Sequence, residues 1–236
     1  MERLKSGAEK LGIHLTPQQI EQFETYYREL IDWNKRINLT RITDYEEVQL
    51  KHFLDSLTVA NVCNLNNQNV IDIGTGAGLP GIALKIAFPD FTLALLEATI
   101  KKTKFLEYII DKLGLNDISI IADRAETAAH NVKYREIFDV VISRAVASLP
   151  ALVELTLPFC KIGGTCIYLK KGDIEEEVKQ ANKAIDVIGG KLKAVKEVEI
   201  EDLPDNRWLV IIEKIKPTAA QYPRRPGIPE KSPIIS

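Results

Sequence analysis

Cysteine is scarce in this chain: Cys63, Cys160 and Cys166 are an odd three, with no C-x-x-C spacing. That pattern argues against a disulfide framework or a zinc ribbon and reads as buried, reduced thiols of a cytoplasmic protein. Histidine is as rare, and His14, His52 and His130 are too scattered for a metal centre, so no metal is expected. No uncharged apolar run approaches the roughly 18 residues that would span a bilayer. The charged start Met1-Glu2-Arg3-Leu4-Lys5 lacks a signal-peptide core. Absent too are a G-x-x-x-x-G-K-[ST] phosphate loop and a G-x-S-x-G nucleophile turn, so kinase and hydrolase lose ground with metalloenzyme. Neither sign of charge dominates, with 31 Lys+Arg against 33 Asp+Glu and a net charge of −2. A general polyanion binder is thereby excluded, because non-specific nucleic-acid affinity grows with the phosphates neutralised. An RNA substrate met by a local basic patch is not.

The 236 residues, 45% of them hydrophobic and 27% charged, suit one larger domain or a domain with a small appendage. Residues 1–63 read as helices. Thr16-Pro17-Gln18-Gln19 is a helix start, with Thr16 as N-cap, Pro17 in the first turn and Gln19 completing a capping box. Ile20, Phe23, Tyr27, Leu30 and Ile31 then form one apolar face. Asp44 opens a further helix with a stripe of Val48, Phe53, Leu57 and Ala60, and residues 64–68 make a polar break.

Beyond that break the period changes. Runs rich in β-branched residues at 70–73, 92–96, 118–121, 139–142 and 165–169 alternate with helical stretches near 79–88, 99–113, 149–159 and 174–188. Such alternation predicts an open, mostly parallel sheet with helices on both faces. Residues 192–200 and 208–215 are two more strands, and the connection 201–207 is too short for a helical crossover, so they should pair antiparallel. The expectation is a seven-stranded α/β sheet in three parts. Residues 1–68 form a helical cap, 69–216 the catalytic domain and 217–236 an extended basic arm. The arm holds five of the eleven prolines and should contain neither helix nor central strand.

The segment Asp72-Ile73-Gly74-Thr75-Gly76-Ala77-Gly78-Leu79-Pro80-Gly81 follows the first strand and opens the next helix. In an open α/β sheet, ligands bind beyond the carboxyl ends of the strands. Glycines there allow positive φ and close approach, and helix N–H groups favour anionic groups. Gly76 to Gly81 satisfies G-x-G-x-x-G, and Glu97 lies about 20 residues on, where a carboxylate accepts from a ribose diol. An adenosine-type cofactor is therefore expected; the plain alternative is a tight turn with no ligand. Asp72, able to face the methionine part of a ligand, and the antiparallel closing pair favour S-adenosyl-L-methionine over a nicotinamide dinucleotide.

These residues, with several further blocks, resemble the RsmG (GidB) family, bacterial 16S ribosomal RNA methyltransferases acting on guanine N7. The similarity covers nearly the whole chain. It is carried by Trp33-Asn34-Lys35-Arg36-Ile37-Asn38-Leu39-Thr40, His52-Phe53-Leu54-Asp55-Ser56-Leu57 and the loop 72–81. Ser143-Arg144-Ala145, Lys170-Lys171-Gly172 and Tyr222-Pro223-Arg224-Arg225-Pro226-Gly227 continue it. The glycine loop alone fits any class I (Rossmann-like) methyltransferase; the other blocks discriminate. The resemblance implies S-adenosyl-L-methionine as cofactor, adenine contacts from Ala125 and Glu126, cofactor binding by Arg144, and the 530 loop of 16S rRNA, free or in the 30S subunit, as substrate region. The expected cofactor set is thus Asp72, Gly74, Gly76, Gly78, Leu79, Glu97, Ala98, Ala125, Glu126 and Arg144.

N7 of guanine carries a free lone pair at neutral pH, so no proton must leave before methyl transfer. Positioning and exclusion of water then supply most of the effect, and no catalytic base is assigned; Arg144 is the positioning candidate. An Asn/Asp-Pro-Pro-aromatic motif for exocyclic amines is replaced by Ser143-Arg144-Ala145-Val146, and Cys160 follows Phe159 rather than the proline common for pyrimidine C5 chemistry. Asp123, Lys170 and Glu213 leave a partial set for ribose 2′-O transfer. RNA contacts are expected from Lys170, Lys171, Arg224, Arg225 and Lys231, and from Asn34, Asn38 and His52 over the base pocket. The alternatives are an ion pair for Arg144, a solvated strand end for the lysines, core packing with helix capping for Trp33, Asn34 and Asn38, and a hydrogen-bonded helix-packing cluster for His52, Asp55 and Ser56. Nothing demands a partner subunit, so a cytoplasmic monomer is expected. The rival functions are a small-molecule methyltransferase and, from another class, an NAD-binding oxidoreductase.

Overall fold

The structure, a computed structural model, describes residues 1–144, 147–201, 203 and 205–235. Helix α1 (Glu2–Lys10) buries Leu4 and Ala8. Helix α2 (Pro17–Asn34) starts on the expected capping box, in which Thr16 Oγ1 accepts from the Gln19 N–H and Gln19 Oε1 from the Thr16 N–H. Its buried face is Phe23, Tyr26 and Leu30, so the stripe is turned slightly and Tyr26 rather than Tyr27 enters the core. Phe23 and Tyr26 both pack on Phe53, with ring centroids 5.0 and 5.2 Å away. Asp44 caps α3 (Tyr45–Val48) by accepting from the Glu46 and Glu47 N–H groups. A π-helical turn (Gln49–Leu54), α4 (Asp55–Leu57) and a 3-10 turn (Thr58–Asn61) follow. The π geometry places His52 and Asp55 where a regular helix would not; such turns recur at functional sites.

Strands β1 (Asn69–Ile73), β2 (Thr92–Leu96), β3 (Ile118–Ile121), β4 (Phe138–Arg144) and β5 (Cys160–Lys171) alternate with α5 (Gly81–Ala87), α6 (Ile100–Leu113), α7 (Ala125–Ala128) and α8 (Leu149–Thr156). Helix α9 (Glu175–Ile188) leads to β6 (Gly190–Val198) and β7 (Arg207–Lys214). The sheet has seven strands in the order β3-β2-β1-β4-β5-β7-β6. The first five are parallel, and β7 runs antiparallel between β5 and β6. The short connection before β7 has this consequence: it can reverse the chain but cannot cross the sheet.

Phe23, Leu30 and Phe53 of the N-terminal helices share one apolar core with Ile82, Phe105 and Ile142 of the sheet layer. On the opposite face Leu149, Phe159, Tyr168 and Ile185 form the second core. Cys160 and Cys166 are buried, whereas Cys63 is only half-buried, because it sits on the polar break before β1. Among the described residues no helix is long and apolar enough to cross a membrane.

The C-terminal segment corrects the expected extended arm. It folds back over α7 and α8: the Arg135 guanidinium donates to the carbonyls of Thr218, Ala219 and Tyr222, and His130 Nε2 lies 2.8 Å from the Pro223 carbonyl. Arg224 forms a two-pronged pair with Glu154 of α8, which is fully buried. The segment also contains a short helix, α10 (Ile228–Lys231), despite its prolines. Pro229 is tolerated because it occupies the first turn, where the missing N–H has no helical partner anyway.

Candidate active site

The loop after β1 is built from glycines that the backbone requires: Gly74, Gly76 and Gly78 have φ of 70°, 60° and 91°. At Gly78 a Cβ would also come within 2.4 Å of Ile82 and 2.9 Å of the Tyr26 hydroxyl oxygen. Tyr26 reaches the loop from α2 and donates to the Ala77 carbonyl at 2.5 Å. Asp72, at the inner end of the loop, is completely buried. Its Oδ2 accepts from the Thr75 hydroxyl at 2.6 Å and the Gly81 N–H at 2.9 Å, whereas its Oδ1 has no hydrogen-bond partner among the described residues. Burial pushes the carboxyl up to about 6, against the opposing pull of those two donors and of Arg144. At the end of β2, Glu97 Oε2 accepts from the Gly76 N–H at 3.0 Å and Oε1 from the Thr99 N–H at 2.7 Å. Each carboxylate oxygen retains a second lone pair for another donor.

Ser143 joins β4 to this loop region through a 2.7 Å bond to the Ile73 carbonyl. Next to it Arg144 turns towards the N-terminal segment. Its Nη1 donates to Asp55 Oδ2 at 2.9 Å and to the carbonyls of Lys51 and His52 at 3.3 Å. The ion-pair alternative for Arg144 is thus realised, and the guanidinium is fixed at the wall of a cavity of about 280 Å³. Lys51, His52, Asp55, Lys170, Lys171 and Arg207 also line it. The site residues quoted around Arg144 at 145 and 146, Ala145 and Val146, lie outside the described residues.

The remaining expected residues divide. Leu79 and Glu126 are buried, Ala125 is half-buried and Ala98 exposed, all on the loop side of β1 to β3. Glu126 Oε1 accepts from the Gly227 N–H at 2.8 Å, which brings the C-terminal segment to the position expected for the adenine. Asn34 spends its carbonyl oxygen on the Leu39 and Thr40 N–H groups, at 2.7 and 2.9 Å, and so holds the turn after α2. Asn38 is exposed. His52 bonds Thr40 Oγ1 through Nε2 at 2.7 Å and approaches the Lys51 carbonyl through Nδ1 at 3.2 Å. Burial and then the Arg144 charge push its pKa down to about 3, so it is neutral and offers no cation to a phosphate. Lys170 pairs with Glu177 at 2.7 Å, Lys171 is exposed, and so are Arg225 and Lys231. Arg224 does not reach out towards RNA: Glu154, buried in an apolar helix, holds it against the domain. The partial 2′-O set is not assembled, since Glu213 pairs with Thr165, five residues along β5 from Lys170.

Two site residues escaped sequence reasoning. Tyr26 adjoins Tyr27 on a stripe that helical spacing alone cannot orient. Arg207 is a lone arginine at a strand start; its only signal is that β7 begins opposite the Lys170-Lys171 end of β5.

The strand order, the inserted antiparallel β7 and the glycine loop after β1 define a Rossmann-like methyltransferase fold. A solved structure of TYW2 from M. jannaschii in complex with AdoMet shares it, with a TM-score of 0.53 and 20% identity over 68% of this chain and 75% of that one. Finer kinship comes from sequence. The model of the family described as "rRNA small subunit methyltransferase G" matches residues 19–206. The Ribosomal RNA small subunit methyltransferase G of Dehalococcoides mccartyi is 52% identical over 100% of both chains. That of Clostridium novyi is 47% identical over 98% of this chain and 96% of its own. The chain belongs to this family and is a methyltransferase.

Proposed function

We propose that the chain transfers a methyl group from S-adenosyl-L-methionine to N7 of a guanine in the 530 loop of 16S ribosomal RNA, acting as a cytoplasmic monomer. The observation that carries the reading is the buried, unpartnered Oδ1 of Asp72 beside the positive-φ glycines. A buried acceptor without a donor is costly to keep, and an amino-acid ammonium is the donor that fits it. Glu97 has lone pairs left for a ribose diol, and at Gly76 no side chain occupies the space that a Cβ would take. Bound there, S-adenosyl-L-methionine supplies a methyl group on sulfonium for a nucleophile to displace.

The chain's own task is then to orient a guanine and keep water away. No base is required for N7, and His52, hydrogen-bonded through both ring nitrogens, is held as a fixed part of the cavity wall. Arg144, immobilised by Asp55 and two carbonyls, presents a planar guanidinium at the cavity wall, suited to stack on or bond a splayed-out base. Residues 1–68 serve as the wall over this pocket. Calorimetry tests the cofactor assignment against the nicotinamide alternative. S-adenosylhomocysteine should bind and NADH should not; the reverse would refute the reading. Labelled methyl transfer to unmethylated 30S subunits, and none to small-molecule acceptors, is the accompanying expectation.

A further inference from the structure

Arg207 is the first residue of β7, and its side chain is only 10% exposed. Its Nε is buried and has no hydrogen-bond partner among the described residues. Among the described residues the nearest carboxylate oxygens, Asp55 Oδ1 and Asp205 Oδ2, stand 3.9 Å from the guanidinium, beyond hydrogen-bond range. Asp55 is already engaged by Arg144 at 2.9 Å. A buried guanidinium with unmet donors is destabilising unless something else completes it.

The neighbourhood says what that is. Arg207 lies directly across the β5–β7 ladder from Lys171, and both side chains line the cavity of about 280 Å³. Like charges opposite one another weaken a ladder. Of the other cations on the wall, Lys51 is paired with Glu47, Lys170 with Glu177 and Arg144 with Asp55. Among the described residues no carboxylate pairs with Lys171. Among the described residues, Arg207, which Asp55 and Asp205 approach only to 3.9 Å, and Lys171 are therefore the two cations of this wall without a hydrogen-bonded anion.

We propose that Arg207 and Lys171 form a phosphate subsite that grips the RNA backbone beside the target nucleotide. Arg207 binds a phosphodiester with its unmet donors, and Lys171 adds a point charge from the rim. The inference rests on the RNA-methyltransferase reading. It makes Arg207 a substrate-binding residue that contributes to KM rather than to the chemical step.

The test is the KM for unmethylated 30S subunits, measured between about 50 and about 200 mM KCl at fixed magnesium. Arg207→Gln should raise KM about tenfold with kcat within about twofold, as expected for a lost charged hydrogen bond. The slope of log KM against log salt should fall by about 0.7–0.9, one phosphate contact fewer. Arg207→Lys should keep the slope and recover part of the KM. Lys171→Gln, at an exposed position, should lower the slope without changing the melting temperature. Unchanged slopes in both glutamine variants would overturn the subsite. So would a KM loss in Arg207→Gln that Arg207→Lys does not relieve and that comes with weaker S-adenosylhomocysteine binding. Wild-type protein that neither binds S-adenosylhomocysteine nor methylates 30S subunits would instead overturn the functional reading itself.

Discussion

The Tyr26 hydroxyl donates to the Ala77 carbonyl across 2.5 Å, and this bond ties the N-terminal helix α2 to the middle of the glycine loop. Burial raises the Tyr26 pKa well above its usual value, so the hydroxyl remains a donor at any working pH. The N-terminal helices are thus tied directly to the glycine loop. Tyr26→Phe leaves a buried carbonyl without its donor and should cost about 1–2 kcal/mol of stability. It should also weaken S-adenosylhomocysteine binding severalfold, as thermal melts and calorimetry would record; unchanged affinity would separate the cap from the loop.

Asp72 gives a pH dependence with two opposite signs. Its folded pKa of about 6 stands above the ordinary 3.8, chiefly through burial. The folded state therefore holds more protons than the unfolded state between those values. This group's contribution makes stability fall as pH rises from about 4 to about 6 and leaves it flat above. Cofactor binding should run the other way, because an ammonium pairs with the ionised carboxylate. Affinity for S-adenosylhomocysteine should weaken up to tenfold per pH unit below about 6 and be level above it. Asp72→Asn should bind weakly without this pH dependence, in calorimetry across the same range.

Glu97 has a double load, since it both receives the Gly76 and Thr99 N–H groups and faces the expected ribose. Glu97→Ala should weaken cofactor binding by about 1–3 kcal/mol through lost charged hydrogen bonds. Unchanged affinity in a titration would remove Glu97 from the site.

The Arg224–Glu154 pair is a matter of stability. Arg224→Ala leaves a fully buried carboxylate unpaired and should cost about 3 kcal/mol. The melting temperature should drop by several degrees, given about 2–4 °C per kcal/mol for a chain of this size. The salt dependence of KM should stay as in the wild type, unlike that of the Arg207 variants. A changed salt slope with an unchanged melt would restore Arg224 to the RNA surface.

These contrasts mark how far the sequence could be read. The β-branched runs located every strand, and the brevity of residues 201–207 pointed to the antiparallel pairing of β6 with β7, because both are local signals; the place of β7 between β5 and β6 was not legible. The positive-φ turn at Gly74, Gly76 and Gly78, with Asp72 and Glu97 beside it, was legible for the same reason, since it follows from spacing along one strand–loop–helix unit. The C-terminal segment was misread because its partners are remote in sequence. Nothing near Arg224 announces Glu154, a carboxylate placed 70 residues earlier in an otherwise apolar helix. Asn34 and His52 lie in blocks that looked like a base-pocket wall. The Asn34–Thr40–His52 chain of bonds makes Asn34 a brace of the turn after α2, while His52 also lines the cavity. Arg207 was invisible for a related reason, since an unmet donor exists only once burial is known.

The most direct test of the proposed activity is to map N7-methylguanine in 16S rRNA from cells with the gene, without it, and with it restored. A single N7-methylguanine in the 530 loop should disappear on deletion and return on complementation, but not with the Asp72→Asn variant. Methylation there that is unchanged by deletion would contradict the assignment.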